Sequence, residues 1–122
     1  MTTELRILNV SSPDVECGIR HIEHAPEVCF LLDLAIGMRG DERSDLFGVV
    51  VCTPLGVRLL PSSENGTVSL RGLFVFANFS WNLLWKTLDG VLLECSAENW
   101  VTSVELLQRY FRWEYEAMAQ QR

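Results

Sequence analysis

The chain of 122 residues contains a single lysine, Lys86, and no apolar run long enough to cross a bilayer; its four cysteines are scattered and it has no glycine-rich phosphate motif. Each shortage removes a class of function. Ten basic residues against sixteen acidic ones leave a formal charge of −6, so no basic stripe is on hand to release counterions from a phosphate backbone, and direct binding to nucleic acid is not expected. The longest apolar stretch, Val28 to Ile36, is broken by Asp33 and falls far short of the roughly 20 residues a spanning helix needs. The first residues carry Glu4 and lack the apolar centre of a secretory signal, which argues for a cytoplasmic protein with no membrane partner. Cys17, Cys29, Cys52 and Cys95 show no C-x-x-C pair and read as reduced thiols, with Cys29 and Cys52 acting as small hydrophobes in apolar runs. Neither G-x-G-x-x-G nor a P-loop is present, so nucleotide chemistry has no support.

What is present is the material of one folded domain covering 1–122. Hydrophobic residues make up 48% of the chain, and a chain of this size can bury roughly two-thirds of its unfolded surface. Leu5–Val10 reads as a first strand, closed by Ser11, Ser12, Pro13 and Asp14. From Val28 to Met38 the set Val28, Phe30, Leu32, Leu34, Ile36 and Met38 alternates with Cys29, Leu31, Asp33, Ala35 and Gly37, so the first set faces a core. Asp33 then points to the other face, which must be at least partly wet because an unpaired buried carboxylate is costly. A charged turn, Gly37 to Asp45, leads into Leu46–Thr53, and two long neighbouring strands with a short connection are most simply antiparallel. Asn65-Gly66 suggests a short hairpin of Val57–Leu60 with Thr67–Leu70, and Leu73–Phe79 reads as the last strand.

Two helices follow. Ser80 caps the first, whose Trp81, Leu84, Trp85, Leu88, Val91 and Leu92 form an apolar face. Ser96 is expected to cap a second that runs to Glu116, with Ala97, Trp100, Val101, Val104, Leu107 and Phe111 as one buried stripe. Strands first and helices last predict an α+β fold: a mostly antiparallel β-sheet followed by two C-terminal helices packed on one face.

Catalytic chemistry finds little footing. On a helix, Cys17, His21 and His24 would share one side, but a fourth zinc ligand is not visible, nor is an orienting group for a thiol-histidine hydrolase. The acid pairs Asp41-Glu42 and Glu114-x-Glu116 read as a solvated turn and a helix surface. No catalytic residue, metal or cofactor is expected.

Three pieces of the sequence carry a resemblance: Leu46-Phe47 leading into Val51-Cys52-Thr53-Pro54, Ser80-Trp81 opening a helix, and Trp100 followed by Phe111, Trp113 and Glu114-Tyr115-Glu116. In this order and separation they resemble the immunity protein 8 family of bacterial polymorphic-toxin and contact-dependent inhibition systems, although Pro61 to Gly72 is longer than expected of that family. The resemblance implies a non-enzymatic protein that binds and neutralises a cognate toxin domain in the cytoplasm. The acidic balance suits a basic toxin domain, such as a nuclease, because opposite potentials speed encounter. Asp33, Asp41, Glu42, Asp45 and Trp113 are the candidate contact residues. The alternative for the same composition is a small acidic secretion chaperone for an exported effector.

Overall fold

In a computed structural model of the chain, which describes residues 3–60 and 72–116, five strands and two helices build two layers. The strands are β1 (Leu5–Ser11), β2 (Cys29–Met38), β3 (Ser44–Cys52), β4 (Leu73–Val75) and β5 (Arg112–Trp113), and the helices are α1 (Trp81–Cys95) and α2 (Trp100–Leu107). The sheet order is β1-β2-β3-β4, with β5 also pairing to β3. Among the described residues only the β3–β4 pairing is parallel. The expected α+β architecture therefore holds, with the small β5 added after the second helix.

Alternation along β2 and β3 sets the two layers apart. Phe30, Leu32, Leu34 and Ile36 of β2 are buried on the same side as Phe47, Val49 and Val51 of β3, and there they meet Trp81, Leu84, Leu88 and Leu92 of α1 and Val104 and Leu107 of α2 in one cluster. Phe79 packs edge-on to Phe30 and Trp81, with ring centroids 5.7 and 5.0 Å away. The start of α1 is fastened twice: the Ser80 hydroxyl accepts from the Leu83 amide at 3.4 Å, and the Glu23 carboxylate accepts from the Trp81 amide at 3.0 Å, placing a negative charge at the positive end of the helix dipole. Trp81 Nε1 donates to the Ile19 carbonyl at 2.7 Å, which ties down the loop between β1 and β2.

The second helix differs from its sequence reading. It begins three residues later, capped by Asn99, whose side chain accepts from the Thr102 amide at 2.9 Å, and it ends at Leu107. Ser96 instead closes α1, donating to the Leu92 carbonyl at 2.8 Å and accepting from the Leu5 amide at 3.3 Å. The stripe is broken accordingly: Val101 is 67% exposed and Trp100 lies at the core margin, while Val104, Leu107 and Phe111 are buried. Continuing the helix would leave the β3 edge unpaired, whereas the turn after Leu107 keeps Phe111 against Phe47 and Phe74 and lets β5 join the sheet.

Two further expectations are corrected. Val57–Leu60 does not form a hairpin strand; Gly56–Leu59 is a 3-10 turn, because the Thr53 hydroxyl accepts the Gly56 amide at 3.2 Å and so draws the chain round after Pro54. Gly56 must remain glycine, since a Cβ there would collide with the Val28 carbonyl. Thr67–Leu70 lies outside the described residues. Leu73–Phe79 is a strand only to Val75, and Phe76 adds one more rung by donating its amide to the Cys52 carbonyl at 2.8 Å. Among the described residues no helix is long and apolar enough to cross a membrane.

Candidate functional site

Because both helices cover one side of the sheet, the side chains on its other side are left to form a surface. Across the middle of that surface the register aligns Ser11 of β1, Asp33 of β2, Gly48 of β3 and Arg112 of β5 in a row. Gly48 contributes no side chain, so the row has a notch at its centre, and a Cβ built there would lie 3.7 Å from Asp33 Oδ1. Leu31, Leu46 and Val50 flank the notch in a shallow groove of about 320 Å³, with Trp113 and Glu114 at its rim. Leu46 is 48% exposed. The Asp33 carboxylate is half-buried beside these apolar groups and has no hydrogen bond or ion pair among the described residues.

Of the other expected contact residues, Asp41 and Glu42 sit in the β2–β3 turn, Asp45 at the start of β3 and Trp113 in β5. Asp41 is committed locally: its carboxylate accepts from Arg43 Nε at 3.3 Å, Nη2 at 3.0 Å and the backbone amide at 2.9 Å. Those bonds hold its carboxyl below the usual carboxylate range. Glu42 is exposed at the tip. Asp45 accepts from Trp113 Nε1 at 2.9 Å, so these two residues, far apart in sequence, fasten β5 to the start of β3. Glu114 reinforces the join, exchanging bonds with Leu46 through its amide at 3.0 Å and its carboxylate at 2.9 Å. Asp41 and Asp45 share a hollow of about 180 Å³ with Met38 and Trp100, whereas Asp33 and Trp113 line the groove. Four of the five residues thus fall into two groups, bridged by the Asp45–Trp113 bond, while Glu42 lines neither.

Sequence reasoning missed Gly48, Arg112 and Leu46 as members of this surface. The period-2 alternation of β3 could have found Leu46 and Gly48, because Phe47, Val49 and Val51 claim the core side. Nothing local could have placed Arg112, which the helix reading put in a different element.

The helix that would have gathered Cys17, His21 and His24 does not form. Arg20–Ile22 is one 3-10 turn, and His24 adopts a left-handed backbone with φ of 59°. Among the described residues no three His, Cys, Asp or Glu side chains are grouped to hold a metal ion.

The arrangement is that of a small α+β domain in which, among the described residues, both helices lie on one face of the sheet. Residues 4–118 match the family model described as Immunity protein 8, and the chain belongs to that family. No curated protein and no solved structure matches it.

Proposed function

We propose that the chain is an immunity protein that binds one cognate toxin domain in the cytoplasm of the producing cell and neutralises it by stoichiometric contact, with no bond made or broken. Family membership supports the class of function. The observation that supports the location of contact is the sheet face away from the helices, where Asp33, half-buried and without a partner among the described residues, sits beside exposed Leu46 over the Gly48 notch. Exposed apolar surface around a half-buried polar group suits cover by a partner, and a carboxylate that meets no cation among the described residues is complemented by a lysine or arginine of a basic toxin domain.

Within this reading the acidic residues divide their work. Asp33 makes direct contact, and Trp113 offers an aromatic edge at the groove rim. Asp41, Glu42 and Asp45 raise the negative potential of the turn and steer encounter, since Asp41 and Asp45 already spend hydrogen-bonding capacity on Arg43 and Trp113. The test is co-expression with the toxin domain encoded beside the gene, followed by co-purification and measurement of association. The parent protein should co-purify and restore growth, Asp33→Lys should weaken binding at least tenfold, and salt should slow association. Failure of the parent to co-purify or protect overturns the immunity reading; full binding by Asp33→Lys moves the contact to another surface.

A further inference from the structure

Cys29 opens β2 and Cys52 closes β3, and the antiparallel register sets them directly opposite each other. The Thr53 amide donates to the Val28 carbonyl at 2.9 Å, so Val28–Thr53 is a hydrogen-bonded rung and the next rung, Cys29–Cys52, is of the non-hydrogen-bonded kind. The Cys52 carbonyl agrees, turning away from β2 to accept from the Phe76 amide at 2.8 Å. In such rungs the Cα atoms lie roughly 4.5 Å apart and the side chains lean together, a spacing a disulfide can bridge. The two sulfurs are already in contact: the Cys52 thiol donates to Cys29 Sγ at 3.2 Å. Both thiols are free. Cys29 is partly exposed whereas Cys52 is sealed at 0%, so a reagent from solvent meets Cys29 first.

We propose that Cys29 and Cys52 form a thiol–disulfide modification site, which a small-molecule disulfide such as oxidised glutathione converts into a cross-strand bond between β2 and β3. Cys29 gives up its proton, and its thiolate attacks one sulfur of the oxidant. The oxidant's S–S bond breaks, one glutathione thiolate leaves, and Cys29 carries a mixed disulfide. Cys52 then loses its proton and attacks Cys29 Sγ, expelling the second glutathione thiolate. Two protein thiols are oxidised, one oxidant disulfide is reduced to two glutathione molecules, and the two protons pass to the departing thiolates.

The second step requires ionisation of a buried thiol. Burial, helped by the hydrogen bond with Cys29, holds the Cys52 thiol above its ordinary value, so only a small fraction is ionised near neutral pH. Proximity opposes that deficit, because groups held in attacking geometry can reach effective concentrations of about 10⁵ M or more. The high basicity of the Cys52 thiolate also makes it a better nucleophile once formed. Closure therefore outruns attack on the mixed disulfide by external thiol, whose supply is far more dilute.

The experiment treats the reduced full chain with oxidised glutathione under native conditions, alkylates the remaining thiols, and maps the products by mass spectrometry. The expected product is lighter by two hydrogens, with the Cys29 and Cys52 peptides linked and Cys17 and Cys95 alkylated. Between pH 7 and 9 closure should speed up about tenfold per pH unit, as the thiolate fraction rises. Cys52→Ser should stop at the glutathione adduct on Cys29. The proposal is overturned if the parent accumulates that adduct without closing, if the linkage involves Cys17 or Cys95, or if no oxidation occurs until denaturant is added. The parent's peptide map decides the matter even if the serine variant fails to fold.

Discussion

Truncating Phe111 to alanine should separate the observed ending of the chain from a continuous C-terminal helix. Phe111 is fully buried, with its ring centroid 6.3 Å from Phe47 and 5.8 Å from Phe74. A phenylalanine that buries about 150–200 Å² at about 25 cal/mol per Å² contributes about 4–5 kcal/mol as an upper figure. Truncations of buried phenylalanine cost about 3–5 kcal/mol once the residual cavity is included, which agrees. For a domain of this length, whose whole stability is on the order of 6–18 kcal/mol, that is a large fraction. Urea denaturation followed by circular dichroism should show the midpoint falling at unchanged slope, and the melting temperature should drop by roughly 10–20 °C. The paired control is Val101→Asp, at a position 67% exposed, which should stay within about 0.5 kcal/mol of the parent. A continuous stripe would bury both residues. If Val101→Asp destabilises as strongly as Phe111→Ala, the turn at Gln108 and the placement of β5 are wrong.

Asn99→Ala removes the acceptor for the Thr102 amide and should cost about 1 kcal/mol, whereas Ser96→Ala should act through the end of α1 and the Leu5 amide; a Ser96 variant that instead frays α2 in hydrogen exchange would refute the cap assignment. Burial pushes the Cys95 thiol up to about 11 from its ordinary value of 9.0. The folded-state value is the raised one, so the unfolded chain ionises first: stability is intact below pH 9 and declines as pH rises towards 11. The stability difference between the parent and Cys95→Ala should therefore shrink across that window in chemical denaturation, and a flat difference would contradict the burial of this thiol.

Local patterning suffices to place the sheet's central pair and the first helix. Strict alternation from Val28 to Met38 can bury its even members on only one side, because neighbouring side chains on a strand point to opposite faces, and the core contains Phe30, Leu32, Leu34 and Ile36 as that rule requires. Ser80 followed by an apolar face at helical spacing likewise left little choice for α1. The family could be read from Leu46-Phe47, Ser80-Trp81 and the Trp113–Glu116 ending, and residues 4–118 match it. Asp33 on the uncovered face follows from the same parity. How the last third of the chain divides depends instead on long-range contacts. Ser96 and Asn99 are both good caps, and the choice between them depends on Ser96 meeting the Leu5 amide of a strand ninety-one residues away. The Asp45–Trp113 bond, the pairing of Arg112 with Gly48 and the parallel seating of β4 are equally non-local. Periodicity reports which side of an element is apolar; it carries no information on where that element stops when a buried ring such as Phe111 and an unpaired strand edge compete for the same few residues.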